Sequence, residues 1–328
     1  MRKCLLLVVF VLLLTACSFS GQKEQKLFEL FKGTQALSFS FLKGLPPNEV
    51  YSPEEGQTTA FQAAIEMANL GSQDIKEGYF VLAVEKNYMK ISKWDTDSEI
   101  TPVGAAGERI FFSLEGRSQV NPIGGKELFT VNLEALSIDK QSTQHTSAIT
   151  LTACYDYVTE VSKDICIDTD IYNIRPAEKT CRAEDITISG GQGAPVEVTK
   201  IEENIQPSES YVRPQFIIHI RNSGSGDVID KDRISDACSA SPLSYDYIDV
   251  VNIEEVKFSS FSSKNNQIEC SPDKIKLKNG EGKTRCTLKP GLLSSSEVTS
   301  YTTPLFIKLN YGYMQSASKE ISVKNIMA

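Results

Sequence analysis

Two histidines, His145 and His219, are the only imidazoles in this 328-residue chain, and they bound its nucleophilic chemistry. A serine or cysteine hydrolase needs an activated nucleophile, a base beside it and a group that orients the base. His145 lies in the polar stretch Gln144-His145-Thr146, and His219 alternates with Ile218 and Ile220, on the solvent side of a strand. Ser223-Gly224-Ser225-Gly226 has the wrong order for a G-x-S-x-G elbow and reads as a turn. Gly190-Gly191-Gln192-Gly193 lacks the Lys-Ser/Thr of a phosphate-binding loop and opens a strand-like run, so it reads as a linker.

Carboxylates are more plentiful. Asp227, Asp230, Asp232 and Asp236 fall in one polar stretch, and Asp164, Asp168 and Asp170 in another. Calcium takes about six to eight oxygen ligands, and neither stretch has the EF-hand order with its central glycine and terminal glutamate. Both read as solvated loops, and no metal site is expected. No C-x-x-C pair exists to begin a zinc site. Acid pairs for glycoside cleavage need a defined separation that a sequence does not fix. Trp94, the single tryptophan, lies in Lys93-Trp94-Asp95-Thr96-Asp97, where it stacks on a sugar, anchors a protein contact or fills a core. Tyr155, Tyr157, Tyr311 and Tyr313 recur at matching places and are expected to make structural hydrogen bonds of the tyrosine-corner kind.

The net charge of -8 opposes binding to phosphate backbones, so nucleic acid is not an expected partner. Arg2 and Lys3 precede an unbroken apolar run at 5–14, and Thr15, Ala16 and Cys17 follow. That order is an export leader, and its apolar run is about half the ~20 residues that a spanning helix requires. Leu14-Thr15-Ala16-Cys17 resembles the lipobox of bacterial-type lipoproteins, which makes Cys17 the expected site of lipid attachment. Diacylation supplies two chains, enough for stable anchoring. With Cys4 lost in the leader and Cys17 in the anchor, Cys154, Cys166, Cys181, Cys238, Cys270 and Cys286 remain as disulfide candidates. Six cysteines allow 15 connectivities. Local spacing favours Cys154 with Cys166 and Cys270 with Cys286, leaving Cys181 for Cys238.

Period-two runs of apolar residues, bounded by Gly, Pro, Ser and Asn, recur along the chain. They predict strands at 59–67, 79–84, 109–114, 127–135, 147–157, 196–201, 215–221, 250–258, 274–277, 284–288, 304–311 and 319–324. Two passages repeat. Ala64-Ile65-Glu66-Met67-Ala68-Asn69-Leu70-Gly71 parallels Ile217-Ile218-His219-Ile220-Arg221-Asn222-Ser223-Gly224. Ile149-Thr150-Leu151-Thr152-Ala153-Cys154-Tyr155-Asp156-Tyr157 parallels Leu305-Phe306-Ile307-Lys308-Leu309-Asn310-Tyr311-Gly312-Tyr313. Both offsets are roughly 155 residues, as duplication of one fold requires.

A strand ending in Asn-x-Gly, twice, resembles the CARDB-type and related immunoglobulin-like domains of archaeal and bacterial surface proteins. Phe31-Lys32-Gly33-Thr34 and Pro46-Pro47-Asn48-Glu49-Val50-Tyr51 resemble the start of surface lipoproteins from small-genome archaea. The resemblance implies display, adhesion or assembly rather than chemistry, although these units are longer and richer in cysteine than typical CARDB domains. The expected fold class is all-β: two tandem immunoglobulin-like antiparallel β-sandwiches after a signal and lipid-anchor segment. The expected divisions are a signal peptide with lipobox at 1–17, a tether at 18–34, a first sandwich at 35–188, a linker at 189–195 and a second sandwich at 196–328. The expected function is a lipid-anchored, extracytoplasmic, non-enzymatic surface protein, acting as spacer and binding or adhesion module without a cofactor. Its partners would be the membrane, through the anchor, and an envelope protein or glycan. The alternatives are a subunit or assembly factor of a cell-surface machine using strand-edge contacts, and a secreted glycan hydrolase using Asp or Glu.

Overall fold

Alternation of apolar and polar side chains makes the strands. Along Thr59–Asn69, Phe61, Ala63, Ile65 and Met67 are buried while Gln62 and Glu66 face water, the pattern that gives a sheet one dry face. The computed structural model describes residues 31–95, 101–103, 109–175, 178–239, 242–296 and 300–325. The leader, Cys4, Cys17 and most of the 18–34 tether lie outside the described residues.

The first half supplies β1 (Leu37–Phe41), β2 (Glu49–Tyr51), β3 (Thr59–Asn69), β4 (Ile75–Ala83), β5 (Met89–Asp95), β6 (Thr101–Val103), β7 (Arg109–Leu114), β8 (Lys126–Ala135) and β9 (Gln144–Asp168). The second supplies β10 (Ile186–Thr187), β11 (Val196–Pro207), β12 (Val212–Asn222), β13 (Asp227–Ile229), the single-turn helix α1 (Ile234–Ala237), β14 (Val250–Phe258), β15 (Phe261–Ser262), β16 (Ile268–Ser271), β17 (Lys274–Lys276), β18 (Glu281–Leu288) and β19 (Ser300–Lys324). One small sheet has the order β1-β3-β8-β5, another β10-β11-β12-β18-β16, and a large sheet runs β15-β14-β19-β9-β4-β7-β6. Aromatic contacts close both sandwiches: Phe80 on β4 meets Phe129 on β8 at 5.5 Å, and Phe216 on β12 meets Phe258 on β14 at 5.4 Å. Trp94 belongs to the first core, buried on β5 against Phe129. The all-β, sandwich-type fold class is therefore what the chain adopts. In the first half the opening strand also changes sheets, since β1 pairs with β3 whereas β2 pairs in parallel with β19.

The large sheet is built on β9 and β19, which pair antiparallel along all 25 residues of each, from Gln144 opposite Lys324 to Asp168 opposite Ser300. At the usual strand rise this ribbon is ~80 Å long. Sequence periodicity predicts a shorter strand at 147–157 and two separate ones at 304–311 and 319–324. The strands run on because polar residues such as Glu160, Lys308 and Ser316 take the wet face while Val161, Leu309 and Ile321 stay buried on the other. At the ribbon's centre Asp156 lies opposite Gly312, with Tyr155 opposite Tyr313 and Tyr157 opposite Tyr311. The repeated Tyr-x-Tyr motif thus pairs with its own copy, which gives the halves a local two-fold axis.

The four tyrosines are buried on the core side, with ring centroids 5.8 Å apart for Tyr155 and Tyr313 and 6.4 Å for Tyr157 and Tyr311. A buried hydroxyl needs partners. Tyr157 Oη donates to the Gly193 carbonyl at 3.1 Å and accepts from the Gln73 amide at 3.2 Å. Tyr313 Oη donates to Asn222 Oδ1 and accepts from the Gly226 amide. The Asn-x-Gly repeats are the turns being held. Asn69 accepts from Gly71 N and donates to the Gln73 carbonyl, while Asn222 accepts from Gly224 N and donates to the Gly226 carbonyl. Gly71 is obligatory because an added Cβ would collide with Tyr157 Oη.

The cysteine pairing differs from the one that local spacing favours. Cys270 does join Cys286, but Cys154 joins Cys238 and Cys166 joins Cys181. Cys154 and Cys166 occupy the same strand, β9, whose extended backbone separates them. Residues 230–249, an insert between β13 and β14, carry Cys238 back across the first half. There Ile229, Ile234 and the disulfide form a small second core on the outer face of the ribbon. Arg109 on β7 fastens the insert by donating to the Ser235 carbonyl at 2.8 Å.

Non-reducing peptide mapping is expected to recover these three pairs. Replacing Cys154 and Cys238 together by serine should lower unfolding stability by about 4 kcal/mol, given the 84-residue separation closed. Tyr157→Phe leaves Gln73 N unpaired and takes one of two donors from Gly193 O, which keeps the Ser72 amide, and should cost about 1–2 kcal/mol in a denaturant titration.

Candidate binding seams at the junction

Each half closes where its first strand runs beside the outer edge of the ribbon, β11 beside β9 and β1 beside β19. The two seams use equivalent residues. Ser72 and Ser225 each stand three places after the turn asparagine. Gly193 and Thr34 each stand three places before the residue whose amide faces a central tyrosine, Val196 and Leu37.

The first seam is shut. Ser72 donates from its amide to the Gly193 carbonyl at 2.9 Å and from Oγ to the Gln192 carbonyl at 2.9 Å. Thr159 Oγ1 donates to the Val196 carbonyl at 2.6 Å and shares a 3.0 Å bond with Tyr311 Oη, which accepts from Val196 N. Farther along, Glu203 Oε2 accepts from the Cys166 amide at 3.3 Å, while its Oε1 is buried without a partner. Burial accordingly raises the Glu203 carboxyl from 4.5 to about 7. The stretch 189–195 lies in this seam. Gly190, Gly191 and Gly193 adopt positive φ, and Gly33 N donates to Gly190 O while Gly193 N donates to Gly33 O.

The second seam is open. Gln315 Nε2 donates to the Leu37 carbonyl at 2.7 Å, and Ser223 N and Gly224 N donate to the Pro195 carbonyl. The Tyr155 hydroxyl, which faces the Leu37 backbone, completes no hydrogen bond. Between 34–39, 223–225 and 313–317 lies a cleft of about 330 Å³. Its walls are hydroxyl, amide and apolar groups with no charged side chain. Tyr313 on its floor stays a neutral hydroxyl, since burial pushes it up to about 12.

No family model matches the chain. No curated protein matches it in sequence either. A type I cohesin–dockerin complex from Clostridium thermocellum matches in structure over 38% of this chain and 85% of that chain, at 17% identity and a TM-score of 0.22. The C-terminal domain of the Streptococcus agalactiae antigen I/II polypeptide BspA matches over 88% and 98%, at 8% identity and 0.17. The C-terminal domain of the Streptococcus pyogenes antigen I/II-family protein AspA matches over 89% and 100%, at 7% identity and 0.17. At TM-scores this low the likeness says nothing about ligands.

The residues singled out for chemistry are scattered. His145, on β9, bonds Glu85 at 3.0 Å and stacks on Tyr88, whereas His219, on β12 in a different sheet, bonds Glu202 at 2.9 Å. Asp230 accepts from Asp232 N and pairs with Lys274, and Asp236 pairs with Arg233. Asp168 pairs with Lys179 at 2.6 Å, and Asp170 accepts from the amides of Ile174 and Arg175. These carboxylates brace local turns. Among the described residues no group of three or more His, Cys, Asp or Glu is placed to hold a metal ion. Ser225, Thr34 and Gln35 escape sequence reading because they are common polar residues. Carrying the Asn-x-Gly repeat one residue further would have paired Ser225 with Ser72.

Glu203 gives the closed seam a pH signature. Its carboxyl stays protonated in the folded chain up to about pH 7 but ionises near 4.5 when unfolded, so its contribution is full below pH 4.5 and is lost as pH rises towards 7. Glu203→Gln should therefore raise the melting temperature at pH 8 and leave it unchanged at pH 4. The gain is about 1 kcal/mol once solvent screening is allowed for.

Proposed function

We propose that this chain is a lipid-anchored, non-enzymatic surface protein that holds an envelope protein or glycan outside the cell. Its working units are the sandwiches at 35–188 and 196–328. The observation that carries this reading is the β9–β19 ribbon, whose unbroken pairing runs through both halves and sets the two central seams relative to one another. A spacer or adhesion module needs that kind of preorganisation, because a surface already held in its binding geometry loses less entropy when it captures a partner.

Three disulfides favour an oxidising, extracytoplasmic compartment. Among the described residues no helix is long and apolar enough to cross a membrane; attachment is assigned to Cys17 from the lipobox-like Leu14-Thr15-Ala16-Cys17. The two Asn-x-Gly turns, braced by equivalent tyrosines, favour kinship with CARDB-like surface domains.

The test separates anchoring from capture. Cys17→Ala should abolish the lipid mass increment and release the protein from the membrane fraction. An unchanged mass together with unchanged membrane association would end the anchor assignment. Affinity capture from detergent-solubilised host membranes should retain an envelope component reproducibly, and glycan hydrolysis by the purified chain would instead favour an enzyme.

A further inference from the structure

The difference between the seams has a definite cause. A Cβ added at Gly193 would lie 2.8 Å from Ser72 Cβ, a distance that real side chains do not tolerate. Only glycine at that place lets the first strand's lead-in approach close enough for its carbonyls to reach Ser72. In the second seam the place belongs to Thr34, which carries a Cβ, and the cleft stands where the contact would be. Ser225 N–H and Oγ thus repeat the donors of Ser72, with no acceptor in reach among the described residues. Among the described residues Thr34, Gln35 and Ser225 form no side-chain hydrogen bond.

We infer that the open seam binds a short, uncharged peptide segment whose main-chain carbonyls take the place at Ser225 that the Gln192 and Gly193 carbonyls take at Ser72. The inference rests on the reading of the chain as a binding module and names the ligand class of one site. The closed seam is the template, since it shows which atoms the shared framework receives there: backbone oxygens of a glycine-rich loop. Thr34 Oγ1 and the Gln35 amide supply the remaining polar contacts, and Phe39 and Ala317 offer room for small apolar side chains. With no charge on the walls, an ionic ligand would lose its hydration without a counter-charge. A volume of about 330 Å³ is at the lower limit for ligand sites and suits two or three small residues.

The probe is the heptapeptide Ser-Gly-Gly-Gln-Gly-Ala-Pro, the chain's own 189–195 sequence, titrated into the isotope-labelled full chain in detergent. Amide resonances of Gln35, Gly224 and Ser225 should shift saturably while those at the far ends of the ribbon stay still. Ser225→Trp, on an exposed loop, fills the cleft and should weaken binding at least tenfold. Thr34→Gly restores the glycine of the closed seam, so it should slow exchange of the Ser225 amide and abolish the peptide-induced shifts. Absence of seam shifts at millimolar peptide overturns the inference, as does binding indifferent to both substitutions. Seam shifts produced by an N-acetylglucosamine oligomer with the peptide silent make it a saccharide site and overturn it too. If Ser225→Trp captures the same envelope component as the parent, the seam assignment falls while the binding-module reading stands.

Discussion

Antiparallel pairing of β9 with β19 is the constraint from which the rest of the molecule follows. Its ladder sets the four tyrosines face to face, and burial turns the hydroxyls of Tyr157, Tyr311 and Tyr313 to polar groups nearby. Those groups are the amides and carbonyls of the turns after Asn69 and Asn222 and the entries to the first strands. One pairing thus positions the loops of both halves. A break in register at Asp156 and Gly312 would uncouple both turns together, because Tyr157 and Tyr313 flank that centre.

Single residues break the two-fold relation where the halves differ. Asp156 receives the amides of Lys76 and Glu77 at 2.9 and 2.8 Å, which settles the irregularity in β4. Its partner Gly312 leaves space that Ile229 and Ile234 fill, an added Cβ there coming within 2.6 Å of Ile229 Cγ1. The insert bearing Cys238 docks beside that gap. Gly193 and Thr34 form the second such pair, and the outcome is one sealed seam and one accessible cleft. The two halves share one framework, and an insert together with single residues such as Gly312 and Thr34 marks where they differ.

Much of this was legible in the sequence. Alternation located most strands, including Arg109–Leu114 and Val250–Phe258 to the residue, and the repeated strings gave the duplication. The length of the ribbon was not legible, because polar stretches such as 315–320 look like turns when the buried alternate residues are few. Nor was the pairing of Cys154 with Cys238, which depends on an insert folding across to the other half. Spacing arguments treat cysteines close in sequence as close in space, and an extended strand defeats that. The cleft was hidden for a different reason: it is set by what Gly193 permits and Thr34 forbids, a contrast that appears only when the two copies are superposed.

The first described strand enters the body beside Gly33 and Leu37, at the waist of the ribbon and not at either tip. Each tip therefore stands ~40 Å from that entry, half the length of the paired strands, while the cleft lies next to it. A contact made at a tip and one made in the cleft are separated by half the bar, so neither obstructs the other.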